Sequence, residues 1–133
     1  DDYICFAFAE KQGYSKFGGY FGNGNTNGQF VYTGFKPALV IFKVLSDPNH
    51  GWSMMDNTRS TFNLMDDNLF ANATTAETTD QNKVDFLSNG FKLRGSTYPA
   101  NQGGTNTFVY IAFAENPFVT SGGVPATARA LTG

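Results

Sequence analysis

The chain of 133 residues is poor in charge, cysteine and histidine, and each shortage excludes a class of function. Charged residues make up 15% of the chain and the net charge is −2, without a basic stripe, so nucleic-acid binding is not expected. No apolar run reaches the roughly twenty residues that a membrane-spanning helix needs, so membrane insertion is not expected either. Cys5 is the only cysteine, cannot form an internal disulfide, and is predicted to be a buried, inert thiol.

Residues of common catalytic sites are scarce as well. His50 is the only histidine, which excludes most transition-metal sites and argues against a Ser-His-Asp triad. Its Pro-Asn-His-Gly context predicts an exposed turn residue. Asp66 and Asp67 are adjacent, so on a strand their carboxylates point to opposite faces and cannot act as a general acid/base pair. We therefore predict that the protein is not an enzyme.

Asp66 and Asp67 leave two interpretations open. In a loop, both carboxylates can bind a hard cation such as Ca²⁺ together with Asn68 and nearby carbonyl oxygens. The other interpretation, which we favour, is a solvated acidic turn. No other cofactor is expected.

Aromatic residues and turn-forming residues are abundant: the chain holds 14 Phe, 6 Tyr and 15 Gly, with many Asn and Thr. This composition favours short strands joined by tight turns. We predict strands at 3–9, 17–21, 29–32, 38–44, 52–56, 62–65, 84–87, 91–93 and 108–114. Helix is limited to at most one turn within residues 66–83, so the predicted fold is all-β: an antiparallel β-sandwich, jelly-roll or concanavalin-like.

Three connections are predicted to be hairpins. Residues 22–28 contain three Gly and three Asn, which tolerate positive φ, so they are expected to join two paired strands. A phosphate-binding loop is rejected there because no Lys-Ser/Thr follows and the next segment is a strand. Residues 38–56 form a second hairpin, and Ser88-Asn-Gly90 turns a third within residues 84–93.

The strand at 108–114 organises the prediction, because it is apolar on both faces and is expected to be buried on both sides. Residues 3–10 nearly repeat it: Ala7-Phe-Ala-Glu10 is identical to Ala112-Phe-Ala-Glu115. Either residues 1–13 carry the closing strand of a preceding repeat, which we favour, or they hold the first strand of this domain. Residues 3–9 are predicted to be a largely buried strand in both cases.

The rest of the chain divides into a sandwich module at 14–118 and an extended C-terminal tail at 119–133. The tail carries no apolar periodicity. We expect it to lie against a neighbouring copy, with Phe118 and Val124 as its apolar anchors.

Trp52, Asp56, Asn57 and Arg59 are the candidate ligand-binding residues. An aromatic face beside a carboxylate, an amide and a guanidinium is the chemistry that sugar binding uses. In the alternative, which we favour, Asp56 accepts a hydrogen bond from Arg59 across a turn and the group is structural.

An ordered series of segments resembles a known domain family. The segments are Gly34-Phe-Lys-Pro-Ala-Leu-Val-Ile-Phe-Lys43, Trp52-Ser-Met-Met-Asp-Asn-Thr-Arg59, Asp85-Phe-Leu-Ser-Asn-Gly-Phe-Lys-Leu93 and Tyr110-Ile-Ala-Phe-Ala-Glu115. The family, of otherwise unassigned function, occurs in virion proteins of tailed phages, especially marine ones, commonly at the C-terminal end of fibre-like or lectin-like proteins. The resemblance covers residues 14–129, and Glu115-Asn-Pro-Phe118 onward looks like the close of such a protein.

The resemblance implies a concanavalin-like sandwich in an extracellular phage particle. Its implied partners are other virion proteins and copies of the chain itself, in a homo-oligomer such as a trimer. The family has no agreed catalytic or ligand residues to transfer.

Two functions follow as hypotheses. The first is a tail-fibre or similar appendage module that recognises a host-surface glycan. The alternative is a capsid-decorating or cement protein with a purely structural role. A threefold bundle projecting into solvent would favour the first, and broad contact with a shell lattice the second.

Overall fold

A computed structural model describes residues 3–79, 83–98 and 100–117, and this part of the chain is all-β. The strands are β1 Ser15–Phe21, β2 Phe30–Tyr32, β3 Pro37–Val44, β4 Ser53–Asp56, β5 Leu69–Phe70, β6 Val84–Leu87, β7 Gly90–Leu93 and β8 Thr107–Ala114. They form a five-stranded sheet in the order β1-β8-β3-β4-β5 and a three-stranded sheet in the order β2-β7-β6. Every strand pairing is antiparallel, so the predicted β-sandwich is confirmed, while its jelly-roll topology stays a prediction.

The core lies between the two sheets and is built by strict alternation along the longest strands. Val40, Phe42 and Val44 of β3 are buried, and their neighbours in the strand are half-buried. Aromatic rings fill the centre: Phe42 meets Phe91 edge-on with ring centroids 5.5 Å apart, and Tyr20 stacks on Phe108 at 5.2 Å. The longest strands thus form because each has an apolar face to bury.

An interior strand of the large sheet is β8, which pairs with β1 on one side and with β3 on the other. Its strand prediction is confirmed, and Phe108, Tyr110 and Ala112 face the core. The opposite face of the sheet is only half-buried, so the prediction of burial on both sides is wrong for that face. This outer face carries Phe17, Leu39, Ile41, Met54, Val109, Ile111 and Phe113.

Two of the predicted hairpins are confirmed and one is wrong. β3 pairs with β4, and β6 pairs with β7 across the Asn89 turn. The loop at 22–28 instead carries the chain from the large sheet to the small one, because β1 and β2 pair with different partners. The predicted strand at 62–65 is also wrong, since Met65 makes only an isolated bridge to Val84. No helix among the described residues is long and apolar enough to cross a membrane.

The N-terminal segment, residues 3–10, is not a strand, which corrects the prediction for residues 3–9. Its apolar side chains are exposed, with Tyr3 at 89% and Phe6 at 79% of full exposure, and Cys5 is exposed rather than buried. The physical reason is that β8 already fills the place between β1 and β3 for which such a sequence is suited. The predicted tail at 119–133 and its anchors, Phe118 and Val124, lie outside the described residues.

Candidate functional site

Of the four candidate ligand-binding residues, Trp52 lies apart from Asp56, Asn57 and Arg59. Trp52 immediately precedes β4 and Asp56 ends it, so at about 3.3 Å per residue their Cα atoms lie roughly 13 Å apart along the strand. Trp52 donates its backbone N–H to Asn72 Oδ1 at 2.8 Å, in a different loop from the Asp56 turn. No aromatic platform of Trp52 therefore stands beside the carboxylate.

Asp56 and Arg59 instead build a turn after β4. Asp56 Oδ1 accepts the backbone N–H groups of Thr58 and Arg59, each at 3.0 Å, and Oδ2 accepts Arg59 Nε at 2.6 Å. Partial burial raises the pKa of Asp56, but these donors together outweigh it and leave the pKa below its usual value. Arg59 also donates to the Met54 carbonyl and to Glu77, so its guanidinium is fully engaged in the fold.

The acidic pair Asp66 and Asp67 lies against a serine. The Ser60 hydroxyl donates to Asp67 Oδ2 at 2.9 Å and accepts the backbone N–H groups of both aspartates. Within 3–79, 83–98 and 100–117, no group of three or more His, Cys, Asp or Glu side chains is placed to hold a metal ion. The Ca²⁺ interpretation therefore gains no third His, Cys, Asp or Glu ligand from the described part of the chain.

His50 packs against the end of the sandwich rather than standing free in its turn. Its ring stacks on Tyr98 with centroids 3.9 Å apart, and Nδ1 lies 3.1 Å from Asp47 Oδ2. The residue is half-buried, which corrects the prediction of an exposed turn residue. Stacking of this kind fixes the loop that joins β3 to β4.

A polar cluster that the sequence did not reveal stands where three neighbouring strands of the large sheet meet one edge. Lys36 precedes β3, Asn57 follows β4 and Glu115 follows β8, and antiparallel pairing brings these three positions side by side. Lys36 Nζ lies 2.9 Å from Glu115 Oε2, and Asn57 Nδ2 donates to Glu115 Oε1 at 2.8 Å. The Glu115 backbone N–H also donates to the Lys36 carbonyl, which fixes the carboxylate at the edge.

This cluster borders an open cavity of about 260 Å³. Phe62 lines it with a ring that is 83% exposed, and Asn63 lines it while its amide is held by two hydrogen bonds to the backbone of Phe86. We call the set Lys36, Asn57, Phe62, Asn63 and Glu115 the end groove. It combines an exposed ring with an ammonium, a carboxylate and two amides, the kinds of group that hold a sugar.

Of the residues predicted for ligand binding, Asn57 alone belongs to the end groove. Lys36 and Glu115 were missed because they are far apart in sequence, and only the pairing of β3 with β8 brings them together. A usable signal was present, since each residue flanks a strand that was correctly predicted.

Comparison with known proteins gives a family without a function. No curated protein and no solved structure matches the chain. One family model, described as a domain of unknown function (DUF7483), matches residues 1–117, a span that holds the N-terminal segment, both sheets and the end groove. The chain therefore belongs to the DUF7483 family.

Proposed function

We propose that the chain is a structural module of a tailed-phage virion, in a tail fibre or a similar appendage, in which copies pack together. The observation that carries the proposal is the outer face of the large sheet. Antiparallel sheets with one solvated face normally place polar side chains there. Here the solvated face is mostly apolar across β1, β8, β3 and β4, with Lys43 and Asp56 as charged side chains among the apolar ones.

Little of the described chain covers this face. The rings of Phe8 and Tyr14 approach Phe113 at one corner, with centroids 6.4 and 6.2 Å away. No other strand or helix of the described residues packs on the remainder. A half-buried apolar face of this kind is suited to contact with another protein. A net charge of −2 on the whole chain offers little repulsion between identical copies.

The resemblance to phage virion domains supports the rest of the proposal: a location in the extracellular particle and neighbours that are copies of the chain and other virion proteins. Closed symmetric assembly, such as a trimer, is the usual way for identical chains to cover such a face.

The packing role is tested by Ile111→Lys, at the centre of the outer face. Sedimentation velocity should show an oligomer for the native chain and a smaller species for the variant. Tyr32→Lys is the matched control, because Tyr32 is 64% exposed on the small sheet and gains the same charge. Circular dichroism checks that both variants keep the β fold. A native monomer, or an equal response to both substitutions, would overturn the role of this face.

Glycan recognition is the second candidate, and the end groove favours it. Phe62→Ala removes the exposed ring without disturbing the Asn63 hydrogen bonds, so it should abolish retention on immobilised host-surface polysaccharide. Thr58→Ala, an exposed change in the neighbouring turn, is the control. Retention that is equal in the native chain and Phe62→Ala would remove the groove from consideration.

Imaging the parent particle and locating the domain in it distinguishes the capsid-decorating alternative from the appendage role. Projection from the tail supports the appendage role, whereas a regular array on the shell supports decoration.

A further inference from the structure

The N-terminal segment has the sequence of β8 but not its position. Residues 7–10 are identical to residues 112–115, and the residues before them match in character: Tyr3 with Phe108, Ile4 with Val109, Cys5 with Tyr110 and Phe6 with Ile111. Yet residues 3–9 make no strand pairing, and Tyr3, Ile4, Phe6 and Phe8 are 63–89% exposed. Exposing four large apolar side chains in one segment is unfavourable, since each forgoes the free energy of burial.

The chain geometry allows the segment to reach the place of β8. β8 pairs with β1 so that Phe113 lies opposite Ser15 and Ala112 opposite Lys16. Transferring that register puts Phe8 opposite Ser15 and Ala7 opposite Lys16. Residues 9–14 then form a hairpin connection to β1, and the segment runs in the same direction as β8.

The connection in the native structure follows the free edge of β1. Lys11 and Ser15 exchange two backbone hydrogen bonds, at 3.2 and 2.9 Å, and Gly13 takes a positive φ of 71° between them. The Ser15 hydroxyl donates to the Ala9 carbonyl at 3.1 Å. Ser15 therefore bonds Lys11 along the edge of β1 that faces away from β8, since it is the neighbouring Tyr14 carbonyl that accepts the Ala114 N–H of β8. Insertion in place of β8 requires the Lys11–Ser15 bonds to break.

The side chains fit that place in the transferred register. Tyr3, Cys5 and Ala7 would face the core in place of Phe108, Tyr110 and Ala112. Two of these exchanges conserve size, while Cys5 is much smaller than Tyr110 and would leave a cavity. This deficit explains why β8 holds the position in the native structure and the segment does not.

We propose that residues 3–9 are an alternative eighth strand, which inserts between β1 and β3 of its own chain when β8 leaves. A released β8 would then be free to complete the sheet of a second copy, so the fold carries its own means of strand exchange. The inference goes beyond the packing role proposed above and does not depend on it. The family match spans residues 1–117 and so includes both segments.

The test uses the full chain with matched substitutions at Ala112 and Ala7. Ala112 is fully buried, so Ala112→Asp places a carboxylate in the core and expels β8. Ala7 is exposed, so Ala7→Asp alone should leave the unfolding midpoint in urea unchanged. We expect Ala112→Asp to keep a cooperative urea transition at a lower midpoint, and the double variant to show no transition. Absence of a transition in Ala112→Asp alone, or equal midpoints for single and double variants, would overturn the proposal.

Cys5 supplies a second measurement that general destabilisation would not reproduce. It is exposed in the native chain and should react quickly with a thiol reagent. In Ala112→Asp it would take the buried place of Tyr110, so its reaction should slow at least tenfold under native conditions. Equally fast reaction in both proteins would show that the segment has not moved. Light scattering should give Ala112→Asp no larger a mass than the native chain, and a larger mass would overturn the placement within one chain.

Discussion

Asn101 is expected to be the most important single polar residue of the fold. It is fully buried in the loop before β8 and joins that loop to residues 22–28. Its Oδ1 accepts the Asn23 backbone N–H at 3.0 Å, and its Nδ2 lies within 2.8–2.9 Å of Asn23 Oδ1, the Asn25 carbonyl and the Gly95 carbonyl. This side chain therefore holds the crossover between the two sheets.

The cost of Asn101→Ala follows from its hydrogen bonds. The side-chain amide of Asn101 donates two hydrogens, which three acceptors share, and its oxygen accepts one further hydrogen bond. The substitution therefore removes three hydrogen bonds, each worth about 1 kcal/mol. Water can reach Asn23 and Asn25, which are exposed, and this offsets part of the loss. We expect the free energy of unfolding to fall by about 2–3 kcal/mol and the midpoint of thermal unfolding by roughly 10 °C.

Asn101→Asp separates hydrogen bonding from packing. It keeps the shape but replaces the donor with a carboxylate oxygen facing three acceptors, so at pH 7 it should destabilise at least as much as Asn101→Ala. Urea unfolding followed by the fluorescence of Trp52, the only tryptophan, measures both variants. Asn27→Ala, an exposed change in the same crossover, should cost less than about 0.5 kcal/mol. The reasoning would be refuted if Asn101→Asp were as stable as the native protein, or if Asn101→Ala lost no more unfolding free energy than the Asn27→Ala control.

Three further predictions use the same unfolding assay. Phe42→Ala should lose about 3–5 kcal/mol, because Phe42 is fully buried and packs edge-on against Phe91, whereas Phe21→Ala, at a 67% exposed site, should lose under about 1 kcal/mol. Gly90→Ala should lower the free energy of unfolding by about 1–3 kcal/mol or more, because an added Cβ would stand 2.1 Å from the Val31 carbonyl oxygen and push β2 away from β7. Gly95→Ala is the control, since its added Cβ would meet its nearest atom at 3.5 Å. The lowered pKa of Asp56 means that its stabilising contribution is present above its unfolded pKa, near 3.9, and is lost as pH falls through the lower native value. Asp56→Asn should therefore flatten the stability profile below about pH 4, and an unchanged acid profile would contradict this.

The sequence allowed the sandwich to be predicted because alternation is a local property. β3, β4, β6, β7 and β8 each carry buried residues at every second position, and the Asn-Gly turn defines the β6–β7 hairpin. What local pattern does not specify is the partner of each strand. The Gly/Asn-rich loop after β1 has ideal turn residues, but Asn101, far along the chain, directs it across to the other sheet.

The repeat of β8 at the N-terminus shows a second limit. Residues 3–9 have the same strand-forming sequence as β8, yet one position in the sheet accepts one strand, so their structure depends on a competitor more than a hundred residues away. The end groove was missed for a related reason, since Lys36 and Glu115 acquire a shared role only through the register of β3 and β8.

The pairing of β1 with β8 has a mechanical consequence. Ser15 lies opposite Phe113, so the chain enters and leaves the sandwich at the same end, on adjacent strands. The hydrogen bonds between antiparallel strands run perpendicular to them, so tension applied across these two points would load the bonds one at a time and open the pair like a zipper. A module joined in series through these two ends would yield at low force. A load-bearing assembly of this domain must therefore transmit tension through contacts between its surfaces and not along its backbone.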